Sequence, residues 1–524
     1  MRSNIILLTL AGILTGTLHA EVKPNPLFSD GAVLQRGQKI PVWGSARDGE
    51  KITVEIQGQK ASTTATGGKW SVHLDPLTKG GPFTMTVTGD NTVAIKDLLV
   101  GEVWLCSGQS NMNMLFNRVH NAAEEAPKAK YPEIRTFKVA VTVSATPLAE
   151  AKGTWVACSP ETVNDFSGVA YFFARDIHCQ LGVPVGFIHS ALGATPAQAW
   201  TSLEGLKTDP ELREYVEIVM RRLVNYDADV AAYPVILAAH QAKLAEWMEA
   251  TGKNHEQKLA AWNEAVAKAK ADGQKPPPRP RPASRRPNDP VSPEGLPTEP
   301  AGLFNGMINP LIPYAIKGVL WYQGESNSKQ AKEYQTLFPT MIADWRLRWK
   351  QGDYPFLYVQ VAPYGGMPPE IREAQFLTLG KVKNTAMTVI TDVGDAEDIH
   401  PKKKEPVGQR LALAARALAY GEAIEYSGPL YESMKAENGK IVLKFQHVGS
   451  GLVVKDGPLK GFTIAGKDKQ FVPARAEIQG STVVVSAEGI TDPQAVRYGW
   501  ANVPDVNLFN KEGLPASPFR TDVE

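Results

Sequence analysis

Apolar positions recur along the chain in two rhythms, and the change of rhythm divides it. Between residues 25 and 92, short runs at 40–43, 52–56, 70–74 and 83–87 alternate with turns such as Arg47-Asp48-Gly49 and Gly67-Gly68. Short strands at regular spacing predict a small β-sandwich. From Leu98 onward, apolar runs at 103–106, 185–189, 318–321, 356–361 and 387–391 are separated by helical patterns. One predicted helix covers 168–181. A second opens near Pro339 and puts Ile342, Trp345 and Trp349 on one face, and a third over 407–420 repeats Leu411, Ala415 and Leu418. Strand and helix in alternation predict a parallel sheet covered by helices. After Tyr426 the short β runs return at 441–445, 452–455, 462–464 and 482–485, predicting a second β-sandwich. No repeat of fixed period is present.

The segment from about Leu206 to Pro300 breaks the alternation. It is rich in Ala, Lys and Glu, with Leu244, Trp247, Leu259 and Trp262 as sparse apolar contacts, and it runs into Lys275-Pro276-Pro277-Pro278-Arg279-Pro280-Arg281-Pro282. This predicts a surface insertion, a helical pair followed by a Pro/Arg linker in extended or disordered form. The basic stretch could meet a polyanion or a wall polymer, but a solvated linker is the plainer reading of its composition.

These readings give six segments. Residues 1–20 are a signal peptide, 21–97 an N-terminal β-sandwich domain and 98–205 the first part of an α/β catalytic domain. Residues 206–300 are the insertion, 301–422 the second part of the catalytic domain and 423–524 a C-terminal β-sandwich domain. The signal peptide rests on Arg2, the apolar run from Ile5 to Leu14 and the small residue Ala20 before Glu21. That order predicts export to the periplasm or the extracellular space. No later stretch has the roughly 20 apolar residues a membrane span needs.

A length of 524 residues exceeds what one core usually serves. Lys plus Arg number 56 against 55 Asp plus Glu, so no global field would recruit nucleic acid or a membrane surface. Three cysteines do not make a disulfide framework. Cys106 reads as a small core residue, while Cys158 and Cys179 could pair.

Chemistry concentrates where strands end. Cys106-Ser107-Gly108-Gln109-Ser110-Asn111-Met112 follows an apolar strand, and a serine raised on such a turn exposes its hydroxyl at the carboxyl edge of a sheet. It is not the G-x-S-x-G elbow, because position 112 is Met. A serine needs a base, and the base needs an acceptor for its other nitrogen. Among nine histidines, His400 lies in the loop after the run at 387–391, with Asp398 two residues and Glu397 three residues before it. Either carboxylate is a candidate to hold the ring. Asp392, Asp395 and Asp398 could instead ligate calcium, but they lack the twelve-residue loop pattern. His178 and His189 read as satisfied structural histidines. Two further polar turns follow strands: Ser190-Ala191-Leu192-Gly193-Ala194-Thr195-Pro196, and Trp321-Tyr322-Gln323-Gly324-Glu325-Ser326-Asn327. A turn N–H and a side-chain amide there could stabilise an oxyanion.

Taken together, Gly108-Gln109-Ser110-Asn111-Met112, Gly193-Ala194-Thr195-Pro196 with Ala199-Trp200-Thr201-Ser202, the stretch from Trp321 to Asn327, and Asp398-Ile399-His400-Pro401 resemble the sialate O-acetylesterase family, a branch of the SGNH hydrolases. Tyr498-Gly499-Trp500, Asn507-Leu508-Phe509 and Ser517-Pro518-Phe519 resemble that family's tail. The resemblance implies an SGNH-type, flavodoxin-like parallel sheet. It implies Ser110 as nucleophile, His400 as base with Asp398 beside it, and N–H groups of Ser110 and Gly193 as oxyanion donors. Gln109, Asn111, Gln323 and Glu325 join as oxyanion-hole or substrate-binding residues. No cofactor or metal enters this reading, and the partner is an O-acetylated sugar or glycan, 9-O-acetyl sialic acid first. An acetylxylan or other plant-glycan esterase keeps the reaction and changes the substrate. A noncatalytic glycan-binding protein would leave the central domain inert.

Overall fold

The computed structural model of the protein describes residues 21–522, and the expected signal peptide lies outside them. Its centre is a twisted sheet whose strands we number β1 (Thr92–Gly108), β2 (Ile134–Lys138), β3 (Trp155–Ala157), β4 (Val185–Ala191), β5 (Gly318–Tyr322), β6 (Phe356–Val359) and β7 (Thr385–Thr388). They lie in the order β3-β2-β4-β1-β5-β6-β7. Every pair is parallel except the edge pair of β3 with β2.

Near-continuous apolar strands such as Val103-Trp104-Leu105-Cys106 require cover on both faces. The structure supplies it. Val103 and Leu105 point into one core with Trp321, Trp345 and Phe356, beneath helices α2 (Ala331–Trp349) and α3 (Pro369–Lys381). Trp104 and Cys106 point into the other with Phe172, Leu320 and Leu411, beneath α1 (Gly168–Leu181) and α4 (Glu405–Tyr420). Helix α2 opens eight residues before the expected Pro339 and carries that proline inside it. The first turns bury Tyr334, Leu337 and Phe338, and that apolar face outweighs the hydrogen bond which proline cannot make.

Strand β1 is 17 residues long and serves two sheets. Its first half pairs antiparallel with Gly80–Thr88 and parallel with Val33–Gln35, within the N-terminal β region. Its second half is the middle strand of the α/β sheet. At the C-terminus, two four-stranded antiparallel sheets share a core of Ile441, Leu443, Ile464, Val483, Tyr498 and Phe519. This unit is tied to α3 by the Arg520–Glu373 ion pair at 2.7 Å, and the Arg372 guanidinium donates to Ala501 and Asn502 carbonyls.

The insertion differs from the helical pair expected. Arg213–Trp247, a π-helical turn at Met248–Gly252 and Lys253–Ala271 follow one another with helical backbone at each junction, without the turn that would fold one helix onto the other. At about 1.5 Å per residue the arm is on the order of 90 Å long. The Pro/Arg segment returns along it rather than hanging free. Trp262 Nε1 donates to the Pro277 carbonyl at 2.8 Å, Trp247 Nε1 to the Ser284 carbonyl at 3.1 Å, and Arg279 lies over the Trp262 ring.

No described helix is long and apolar enough to cross a membrane. Cys158 and Cys179 do not pair. Both stay free, with Cys158 buried against the Ala129 carbonyl and Cys179 exposed. Burial pushes the Cys158 thiol up to about 12, so it is no thiolate near neutrality.

Candidate active site

The loops after β1, β4, β5 and β7 meet at the carboxyl edge of the sheet, where open α/β folds place their clefts. Strand β1 is able to end there because its last residue is glycine. Gly108 has φ +133°, and a Cβ added to it would lie 2.2 Å from the Tyr322 carbonyl oxygen at the end of β5. Two residues later Ser110 opens the short helical turn Ser110–Asn113. Its Oγ lies 2.8 Å from His400 Nε2, from the loop after β7, although 290 positions separate the two. An unprotonated Nε2 at that distance accepts the hydroxyl proton, which is the arrangement that activates a serine.

Asp398 sits beside the ring. Its Oδ1 accepts from the His400 backbone N–H at 2.9 Å and lies 3.5 Å from Nδ1. The same carboxylate therefore fixes the backbone at His400 and is within reach of the ring. Glu397 is exposed, and its backbone N–H, like that of Asp398, donates to the Asp395 carboxylate. Asp392 is gripped at both oxygens by Arg410.

Beneath the pair lies a buried polar network. Lys404 Nζ donates to Asn111 Oδ1 at 2.6 Å, which leaves the amide nitrogen to donate to Glu325 Oε1 at 2.6 Å and to the Ile399 carbonyl at 3.0 Å. One lysine thereby decides which way the Asn111 amide faces, and that amide holds the peptide immediately before His400. Burial lowers the Lys404 ammonium to about 7 against the pull of Glu325 and Asp398, and burial raises the Glu325 carboxyl. Glu325 Oε2 has no partner among the described residues.

On the other flank the turn after β4 brings Gly193 against the serine. A Cβ built on Gly193 would lie 3.3 Å from Ser110 Cβ, so the turn passes as close as a residue without a side chain allows. Ser110 N–H, first in its helical turn, has no intrahelical acceptor. Gly193→Ala is expected to displace the serine by a few tenths of an ångström and cost roughly tenfold in kcat, since misplacement by about 1 Å costs ~100-fold. The melting temperature should move little, and steady-state kinetics with thermal unfolding of the same samples checks both.

Several residues expected at the substrate support the loops instead. Gln323 is fully buried, and its amide is spent on Asn327 Oδ1 at 2.7 Å, the Thr195 carbonyl at 3.3 Å and the Tyr334 hydroxyl at 3.0 Å. Asn327 also accepts from the Ala197 N–H and donates to Gln198, so this cluster braces the Gly193 turn. Asn111 and Glu325 belong to the lysine network. Gln109, 3% exposed, accepts from the Ser326 N–H. Of the structural histidines, His178 is satisfied by the Val183 carbonyl, whereas His189 is buried with Nε2 unpartnered among the described residues.

Lys404 was hidden by its neighbours, because Lys402-Lys403-Lys404 reads as a solvated charge run. A signal did exist. Positions 404, 407, 408, 411, 412 and 415 form one helical face, and all six are buried.

Comparison with known proteins points one way. A family model described as "Carbohydrate esterase, sialic acid-specific acetylesterase" matches residues 303–417. Sialate O-acetylesterase of Rattus norvegicus is 30% identical, over 91% of this chain and 90% of its own, and the Homo sapiens protein is 28% identical over 91% and 88%. Among solved structures, a carbohydrate acetylesterase from Xanthomonas citri is 34% identical, covers 96% of this chain and 100% of its own, and superposes with a TM-score of 0.77.

Proposed function

The chain belongs to the sialate O-acetylesterase family, and from that premise we propose that it is a serine esterase that removes O-acetyl groups from sugars, 9-O-acetyl sialic acid first among them. The observation that carries the reading is the 2.8 Å contact between Ser110 Oγ and His400 Nε2. Ser110 attacks the acetyl carbonyl while His400 takes its proton. The N–H groups of Ser110 and Gly193 hold the developing oxyanion, and the proton passes to the leaving sugar hydroxyl. Water activated by the same imidazole then releases acetate and restores the serine. Asp398 steadies the charged ring, and the networks of Lys404 and Gln323 hold the two loops in register.

The parallel sheet with its site at the switch between β1 and β5 supports an SGNH-type, flavodoxin-like catalytic domain, flanked by an N-terminal and a C-terminal β-sandwich domain. The leader-like residues 1–20 support export to the periplasm or beyond.

Two measurements test the mechanism together. Acetate release from 9-O-acetyl sialic acid and from an aryl acetate should both be detectable. A serine-directed fluorophosphonate should add to the peptide carrying Ser110 and block both activities. Labelling at another serine with loss of activity would overturn the assignment.

A further inference from the structure

A cavity lies close along the chain to the Ser110 turn and is lined by none of Ser110, Gly193 and His400. It measures about 360 Å³ and is walled by Asn113, Arg118, Lys138, His189, Ala191 and three aliphatic residues. Its position follows from the topology. Asn113 closes the helical turn that Ser110 opens, and Ala191 lies two residues before Gly193. Lys138 and His189 are register partners at the carboxyl ends of β2 and β4, and Arg118 lies five residues beyond Asn113.

The wall has an unusual balance of charge. It contains two cations and no carboxylate. Neither Arg118 nor Lys138 makes an ion pair or side-chain hydrogen bond among the described residues, whereas most other arginines of the molecule are paired with acids or carbonyls, as Arg135, Arg175, Arg346 and Arg410 are. His189 is 2% exposed, and its Nε2 meets no partner among the described residues. Burial and the neighbouring Lys138 hold that imidazole down to about 3, so it is neutral and offers a hydrogen bond without charge. A buried polar nitrogen is seldom left unpaired without a ligand or water to meet it.

We infer that this cavity is a carboxylate subsite: Arg118 and Lys138 bind the acid group of an acidic O-acetylated sugar, with His189 as a neutral polar contact, and so select acidic over neutral substrates. The inference rests on the esterase reading above and adds to it the feature of the substrate that is recognised. Guanidinium and ammonium groups lining a pocket form charge-assisted hydrogen bonds to a carboxylate, and replacing that acid by its methyl ester removes the charge while leaving the acetyl group untouched.

The test compares kcat/KM for 9-O-acetyl-N-acetylneuraminic acid with that for its methyl ester, by acetate release, in the wild type, Arg118→Gln, Lys138→Gln and the double variant. The ratio of the two substrates cancels any loss common to both. The wild type should prefer the acid by about tenfold or more, through KM rather than kcat, and the preference should shrink as salt rises. Each single variant should lower the ratio and the double variant should bring it near one, while Arg118→Lys should restore part of it. A wild-type ratio near one, or a double variant that keeps the preference, overturns the carboxylate subsite. Hydrolysis of neither ester, nor of an aryl acetate, overturns the esterase reading itself.

Discussion

Ser110→Ala should lower acetate release by about 10⁴- to 10⁶-fold and leave the fold intact, because under the proposed mechanism its removal leaves only binding and oxyanion stabilisation. The Oγ has one described partner, His400, so its loss strips no buried group of its hydrogen bond. The variant should bind substrate with nearly unchanged affinity, and calorimetric titration with acetylated sugar separates lost chemistry from lost binding. His400→Ala should fall by a similar factor without adding to the serine effect in the double variant, since the two groups act as one unit. A Ser110→Ala enzyme retaining a tenth of wild-type turnover would exclude the covalent route.

Lys404→Met should destabilise the protein by about 1–3 kcal/mol, the cost of leaving the buried Asn111 carbonyl oxygen without its donor. The loss reaches catalysis through a defined path. Without the ammonium, the Asn111 amide can flip, its nitrogen leaves Ile399, and the peptide before His400 loses its tether. kcat should fall along with the unfolding midpoint, with KM little affected. Restoring the partner balance with Glu325→Gln in the same chain should recover part of the stability. The pH dependence has a fixed sign. The Lys404 pKa in the folded protein is about 7 against an ordinary 10.5, so between those values the unfolded chain holds more protons. This group's contribution to stability therefore rises with pH over that interval, by up to about 1.4 kcal/mol per pH unit. Denaturant melts at pH 7 and pH 9 should show the gap between wild type and Lys404→Met widening. A gap that narrows would mean the lysine is held charged by the network.

What could be read from the chain and what could not divide along a physical line. The strand cores around Val103-Trp104-Leu105 and Val319-Leu320-Trp321 are legible because a sheet buried on both faces needs continuous apolar runs, and few other structures do. The nearness of Ser110 and His400 follows from the same fact, since loops at the carboxyl ends of parallel strands gather on one edge. Side-chain direction within those loops is not legible in that way. Gln323 and Asn111 carry the polarity of substrate ligands, but which partner their amides meet depends on side-chain directions at Tyr334, Asn327 and Lys404 that their sequence positions do not reveal. The course of the insertion is illegible for a related reason. Its composition marks helix, but whether a helix turns back or runs on depends on one junction, and Met248–Gly252 continues as a π turn where a break was expected. The Pro/Arg stretch has the makeup of a free linker, yet two tryptophan N–H groups on the arm catch its carbonyls.

The double service of β1 bears on how the molecule can be taken apart. A fragment starting at residue 98 would begin inside a strand, with Leu98 and Val100 stripped of Phe83 and Leu34 beside them. The leading β region is thus no detachable accessory on a tether. It shares a beam with the strand that carries Ser110 and lacks a joint about which to swing, so whatever it touches is held at a constant bearing to the Ser110 turn.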